Sequence, residues 1–389
     1  MHLKPARAAA ALAAFDYQPR TRVVAGEDAL EKVGELARSL GKSRALLVTD
    51  AGIVAAGHAG RAVGFIAAAG LQVEVYDRVR ENPTTSDVDQ CVKAARDAQV
   101  DLLIGLGGGS SMDTAKGCNF LLTNGGEMKN YWGVGKAKKP MLPLIAIPTT
   151  AGTGSECQSA ALIADEETHQ KMACLDPKVA AAIAILDPLL TLSQPARLTA
   201  CTGMDAIAHA IESAVSRKRN PISGLFSRGS FRLCGSSFAE VLAEPDDVEA
   251  RARMQLGAAF AGSAIENSML GAAHSAANPL TAHHGIVHGQ AVGIVLPAVM
   301  RFNAQAPETN AHYLDLAHAI NLDSVEALIE HVEDLLEMAD LRAPLQQFGI
   351  TSYSLPALSA EAAQQWTAQF NPRAITAADF ERIYEEILL

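Results

Sequence analysis

The amino-acid sequence predicts an α/β domain followed by an all-α domain, and three observations lead to that expectation. From about residue 20 to residue 190, short β-rich runs alternate with amphipathic, alanine-rich stretches. Beyond Leu192 such runs largely disappear, and apolar residues recur at three- and four-residue spacing. The chain has 389 residues, 49% hydrophobic and 19% charged, which is material for two sizeable cores.

The amino terminus, "MHLKPARAAAALAAF", places Lys4 and Arg7 before an alanine run and faintly imitates a signal peptide. Its apolar stretch is short and runs into Asp16 and Gln18, so it reads as a leader helix or frayed tail. The strands follow in order as "RALLVTD", "LQVEVYD", "DLLIGLGGG", "PLIAIPTT" and "AAIAILDP", each ending in turn or polar residues. Helical patterns lie between the first three, which is the grammar of a mostly parallel sheet. In the second half, "ALIEHVEDLLEMADL" and "AADFERIYEEILL" have helical periodicity, and the boundary falls near residue 190. No fixed repeat and no low-complexity tract interrupts this plan.

A formal net charge of −11 argues against nucleic acid or an anionic membrane as partner. No segment reaches the ~18–20 uninterrupted apolar residues of a membrane span. The six cysteines are scattered without a C-x-x-C pair, which fits a reducing cytoplasm better than a disulfide scaffold or zinc ribbon.

Three stretches carry chemistry. In "LLIGLGGGSSMDTAKG", Gly107, Gly108 and Gly109 follow a buried strand and precede a helix begun by Ser110 or Ser111. Backbone without side chains can approach a ligand closely, and free N–H groups at a helix start attract phosphate. The same triplet could be only a tight turn. It is not the ordinary dinucleotide fingerprint, since it does not follow the first strand and no acid comes about 20 residues later. Asp50 does stand at the carboxyl end of the "ALLVTD" strand. There it would accept ribose hydroxyls and repel a 2′-phosphate, favouring NAD, or it would cap the next helix. "AIPTTAGTGSE" adds Thr149, Thr150, Thr153 and Ser155 at the end of another strand, in a loop able to line a phosphate or nicotinamide pocket.

The third stretch, "DAIAHAIES", lies on a helix expected to start near Thr202, where Asp205 and His209 are i and i+4 on one face. The pair is either a salt bridge, a core histidine with its partner, or half of a metal site. A second cluster, "GAAHSAANPLTAHHGIVHGQ", carries His274, His283, His284 and His288, four of the eleven histidines within fifteen residues. One carboxylate with imidazoles suits Fe²⁺ or Zn²⁺. Spacing alone does not choose two of the four histidines.

Taken together, "VTD" at 48–50, "NPT" at 82–84, "GGGSSMDTAK" at 107–116, "PTTAGTGSE" at 148–156, "DP" at 187–188, "TGMDAIAHAIE" at 202–212 and "AAH…NPL…VHG" at 272–289 resemble the iron-containing, or group III, alcohol dehydrogenases over nearly the whole chain. The resemblance implies a Rossmann-like NAD-binding α/β domain over 1–190, a helical metal-binding domain over 191–389 (a dehydroquinate synthase-like arrangement), and a metal in the cleft between them. It implies metal ligation by Asp205, His209, His274 and His288, and cofactor contacts from Asp50, Asn82, Gly107, Gly108, Gly109, Ser110, Asp113, Thr149, Thr150 and Lys171. The implied activity is NAD(H)-dependent interconversion of a small primary alcohol and its aldehyde, in a cytoplasmic homodimer or larger homo-oligomer. Maleylacetate reductase-like, glycerol dehydrogenase-like and dehydroquinate synthase-like enzymes share the fold, and a non-enzymatic nucleotide-binding scaffold would be expected to have broken ligands. Two positions depart from the family pattern: Asn278 stands where many members have a second histidine four residues after the third ligand, and Ala298 stands in "LPAVM" where many read "LPHVM". The first leaves the proton route to His283 or His284.

Overall fold

The computed structural model describes residues 14–168 and 170–389, so the expected leader helix lies almost wholly outside the described residues. The first half holds strands β1 (Arg22–Ala25), β2 (Arg44–Val48), β3 (Gln72–Tyr76), β4 (Leu102–Gly107), β5 (Gly133–Val134), β6 (Leu144–Pro148), β7 (Ala160–Ala164), β8 (Lys171–Leu175) and β9 (Ile183–Leu186). Between them run helices α1 (Val33–Ser39), α2 (Ala51–Ala55), α3 (His58–Ala68), α4 (Thr85–Asp97) and α5 (Gly109–Asn124). The second half is helical: α6 (Ala196–Val215), α7 (Pro221–Ala243), α8 (Val248–Glu266), α9 (Ala272–His284), α10 (His288–Ala304), α11 (Pro307–Ala319), α12 (Val325–Met338), α13 (Leu355–Gln364) and α14 (Ala377–Glu386).

Six strands form one sheet in the order β1-β9-β6-β4-β2-β3, every pair parallel. The five strands read from the sequence are all in it. The continuous apolar runs of β2, β4, β6 and β9 reflect burial on both faces, whereas the edge strand β3 alternates and is mostly exposed. In β2, Leu46 and Val48 enter the core on one side, shared with Leu103, Leu144 and Met112, while Ala45 and Leu47 enter the core on the other, with Ile104, Ile145 and Ile185. The edge strand β1 was not foreseen, because three of its four residues are exposed and its apolar run, Val23 to Ala25, is only three residues long. A second sheet, β5-β8-β7, also escaped the sequence reading, its strands being short and partly exposed.

From β2 the chain passes to β3 on one side, then crosses to β4 on the other, so the sheet changes direction between β2 and β4. Ligands of open α/β sheets bind outside the carboxyl ends of strands at such a point. Asp50 follows β2, the glycine loop follows β4, and Thr149 follows the adjacent β6. The last strand ends at Leu186 and α6 begins at Ala196, earlier than the Thr202 start expected from the sequence. A third core, built on Met204, Ile207, Ile211, Phe231, Val295 and Leu335, unites the helices of the second half.

Main-chain contacts tie the two halves together. A β-carbon on Gly262 of α8 would lie 2.1 Å from the carbonyl oxygen of Gly154, and one on Gly152 would meet Thr202 of α6 at 2.5 Å. The loop after β6 therefore rests directly on the helices of the second half.

Candidate active site

The cofactor-facing edge is built from backbone. Gly107 has φ +146° and a β-carbon there would lie 2.4 Å from Ser111 Oγ; at Gly109 it would lie 2.9 Å from Thr153 Cγ2. Any side chain would fill the cradle, which is the condition a closely approached diphosphate imposes. The helix starts at Gly109, just ahead of the expected Ser110 or Ser111. Asp50 caps α2, its Oδ1 accepting from Gly52 N at 2.9 Å and Ile53 N at 3.1 Å, while Oδ2 faces Gly107. Capping and ribose recognition are thus compatible, one oxygen for each.

Thr149 pairs its N–H with the Gly107 carbonyl, and Thr150 lies against Gly108. Asn82 adopts a left-handed backbone with φ 52°, and Lys171 Nζ reaches its Oδ1 at 3.4 Å. Asp113 turns inward: Ser155 Oγ donates to it at 3.3 Å, and burial pushes its carboxyl up to about 6 against the pull of Lys116 and Lys171. One turn on, Lys116 is fully buried and donates to Ser155 O, Ser155 Oγ, Gln158 O and Ala160 O at 2.7–2.9 Å. The sequence assigns Lys116 no role; the available signal is a lysine three residues after an acid in a helix with no other charged residue.

The second cluster lies on α6, α9 and α10. Asp205 and His209 project from one face of α6, and Nε2 of His209 lies 3.5 Å from Asp205 Oδ1. His274, in the first turn of α9, brings Nε2 to 3.4 Å from the same oxygen, and His288, first residue of α10, to 3.9 Å. His288 is brought there by Gly289, whose missing side chain lets α10 start against the main chain of α6; a β-carbon would sit 2.0 Å from Cys201 O. Among the described residues, Asp205 Oδ1 and His274 Nε2 are buried without a hydrogen-bond partner. Four ligands placed tetrahedrally at about 2.1 Å from an ion stand about 3.4 Å apart, close to the 3.4 and 3.5 Å of His274 and His209 from Asp205 Oδ1; Asp205, His209 and His274 gather their ligand atoms within 4.8 Å of one another, and His288 stands further out. The donor set fits a divalent transition metal.

Charge in the cluster is balanced by Glu212, which the sequence reading quoted but gave no role. Seven residues after Asp205 on α6, it accepts from His274 Nδ1 at 2.6 Å and from Ala273 N at 2.7 Å. This fixes the tautomer that turns the Nε2 lone pair toward Asp205. Burial opposes the charge on Asp205, but the imidazoles of His209, His274 and His288 hold its carboxyl far below the usual range. Burial likewise opposes a charge on His274, yet the carboxylates of Asp205 and Glu212 beside it push it up to about 9.

Profiles of two described families match the chain: "Iron-containing alcohol dehydrogenase" over residues 19–188 and "Fe-containing alcohol dehydrogenase family, C-terminal" over residues 199–388. The chain belongs to the iron-containing alcohol dehydrogenase family. Membership makes it an oxidoreductase of the alcohol dehydrogenase class. It is 33% identical to the NAD-dependent methanol dehydrogenase of Bacillus methanolicus, over 94% of this chain and 97% of that one. The solved structure of a 1,3-propanediol oxidoreductase superposes with TM-score 0.92 at 30% identity, covering 96% of this chain and all of that one. A sulfoacetaldehyde reductase from Bifidobacterium kashiwanohense, solved in complex with NAD⁺, gives 0.90 at 28% identity over 97% and 99%.

Within this family member the histidines separate. His283 points away: nine residues after His274 it lies on the opposite face of α9, its side chain 54% exposed and paired with Glu361 at 2.6 Å. His284 ends the helix, half-exposed. Asn278 lies on the His274 face, one turn on, and donates from Nδ2 to Gln365 Oε1 at 3.0 Å. Ala298 is buried inside α10.

Proposed function

We propose that the chain binds NAD(H) across the carboxyl ends of β2, β4 and β6, holds one Fe²⁺ or Zn²⁺ on Asp205, His209, His274 and His288, and interconverts a small primary alcohol with its aldehyde. The observation that carries this reading is the buried, unpartnered Asp205 Oδ1 ringed by three imidazole nitrogens at 3.4–3.9 Å. In this reading residues 1–190 are the NAD-binding domain and residues 191–389 the metal-binding one.

Once bound, the metal supplies Lewis acidity toward the substrate oxygen and the nicotinamide supplies the hydride chemistry. The chain contributes the arrangement. Gly107, Gly108, Gly109 and Ser110 offer backbone N–H groups to a diphosphate, Asp50 Oδ2 offers an acceptor to the ribose, and Asn82 with Lys171 borders the same edge. Asp205 provides negative charge, and Glu212 keeps a proton on His274 Nδ1 so that Nε2 stays free to ligate. Asn278 can hydrogen-bond but cannot take up a proton near neutral pH. The Glu361 ion pair argues against His283 as relay and leaves His284.

Partners follow from the same features. A small alcohol or aldehyde is the substrate, and the acidic surface disfavours nucleic acid. No helix among the described residues is long and apolar enough to cross a membrane. Six buried, free cysteines accord with a cytoplasmic location, and a homodimer or larger homo-oligomer is the assembly expected. The test is to strip metal, reconstitute with Fe²⁺ or Zn²⁺, and assay small alcohols and aldehydes with NAD(H). Turnover restored by either ion supports the reading; none with any substrate overturns it.

A further inference from the structure

Arg251 is a buried cation without an anion. On α8 it is 4% exposed, and two of its nitrogens are committed to main-chain carbonyls: Nε donates to Pro245 O at 2.6 Å and Nη1 to Thr191 O at 2.8 Å. Nη2 has no partner among the described residues, and Asp246, the carboxylate that acts on this guanidinium, is exposed to solvent. A guanidinium does not lose its proton in a protein, and charges taken out of water are ordinarily paired.

Arg251 lines a cavity of about 10 Å³ bordered by the loop after β6, the turn before α6, and helices α6, α7 and α8. That is about the room one water-sized particle takes. Thr199, Thr202 and Gln194 are the other polar residues nearest the guanidinium side of it, Ala151 and Phe238 belong to its apolar wall, and no described carboxylate lines it. Thr199 is 8% exposed, and its Oγ1 is buried without a hydrogen-bond partner. Gln194 Nε2 donates to Thr202 Oγ1 at 2.9 Å and keeps a second N–H. Thr202 Oγ1 in turn donates to Leu198 O at 2.9 Å.

The groups left open are therefore mainly donors: Arg251 Nη2, the Thr199 hydroxyl and one Gln194 N–H. A water molecule would use some of them but would leave the guanidinium uncompensated. An anion takes all three and cancels the charge. Thr199 lies in the first turn of α6, where the helix dipole also favours negative charge. Phosphate, sulfate and carboxylates carry several heavy atoms and exceed a one-particle cavity.

We infer that this cavity binds a single monatomic anion, chloride or bromide, on Arg251, Thr199 and Gln194. The bound ion joins α8 to the first turn of α6 and to the Pro188–Thr191 turn that ends the first half. It sits beside the close contact of Gly152 with Thr202, so it strengthens the junction between the two halves and takes no part in the chemistry.

The test is thermal melting of the full-length protein at constant ionic strength, with sodium chloride or bromide replacing sodium gluconate. It is run on metal-loaded and metal-stripped protein, because halides also ligate open metal ions. The wild-type midpoint should climb with the logarithm of halide concentration once the site fills, by roughly 2 °C per tenfold, in both metal states. Arg251→Met and Thr199→Val should each flatten that slope; Thr199→Val keeps the side-chain volume and carries the test if Arg251→Met does not fold. Crystals grown in bromide should show an anomalous peak within hydrogen-bonding reach of Arg251 Nη2 and Thr199 Oγ1. A slope that is absent, equal in wild type and variants, or present only with metal overturns the assignment, as does a water in the cavity at high bromide. A bromide peak without any shift in solution marks an adventitious ion only and overturns it equally.

Discussion

Replacing Glu212 by Gln is the sharpest test of the metal centre, because its carboxylate is not itself an expected metal ligand and reaches the site through His274 and the Ala273 main chain beside it. Its carboxylate accepts two hydrogen bonds, from His274 Nδ1 at 2.6 Å and Ala273 N at 2.7 Å. Glutamine keeps the shape but has one acceptor oxygen, so its NH₂ must face one of two donors. If Oε1 stays on Ala273, the amide meets His274 Nδ1 and favours the tautomer that carries hydrogen on Nε2, where the ligand lone pair should be. Loss of one charge-assisted hydrogen bond costs about 1.5–3 kcal/mol. Losing a carboxylate behind a ligating histidine typically weakens a metal 10–100-fold, or about 1.4–2.8 kcal/mol. The two routes agree. We expect Glu212→Gln to bind Fe²⁺ or Zn²⁺ ~10–100-fold more weakly in a competition titration against a chromophoric chelator. Cofactor binding should persist and turnover return at saturating metal. A folded variant whose metal affinity stays within about twofold of wild type would refute the reasoning.

Three further outcomes follow from the same geometry. Asp205→Ala or His288→Ala should abolish turnover while leaving NAD binding, measured by cofactor fluorescence, nearly intact; equal loss of both in a folded variant would contradict the division of labour. Asp50→Gly should raise the NADP to NAD ratio of kcat/KM by removing repulsion of a 2′-phosphate, at a stability cost of only a few tenths of a kcal/mol because glycine is tolerated at an N-cap. An unchanged ratio would remove Asp50 from the ribose. Glu156 is 2% exposed, and burial pushes its carboxyl from 4.5 up to about 7. Ionising it costs the folded state, so the wild type loses stability as pH climbs through that window, and Glu156→Gln should be more stable above it by on the order of 3 kcal/mol. Denaturant melts at acid and alkaline pH check this, and a gap that does not open with pH would contradict it.

The four inner strands β2, β4, β6 and β9 were legible because strands buried on both faces are written as continuous apolar runs, the edge strand β3 because its apolar residues alternate, and Asp205 with His209 because four residues is one helical turn. What escaped was tertiary. Spacing could not separate His274 and His288 from His283 and His284, since the choice depends on which face of α9 meets α6 and on where α10 begins. Glu212 carries no signal of its own in the sequence, because its role depends on the start of α9 packing against it. Lys116 carries little, because its burial depends on the loop after β6 folding over it. The strands β7 and β8 alternate weakly because their sheet is small and half-covered.

The glycine contacts at Gly152 with Thr202, Gly154 with Gly262, and Gly289 with Cys201 have a consequence for how such an enzyme changes over time. They set the spacing between cofactor edge and metal cluster main chain to main chain. Side chains elsewhere in the cleft are therefore not needed to hold the reacting centres in register. Side chains that line the cleft without touching those contacts can drift under selection. A lineage could exchange one alcohol for another by substitutions among them, while a single methyl group at Gly262 or Gly289 would displace a helix and silence the chemistry for every substrate at once.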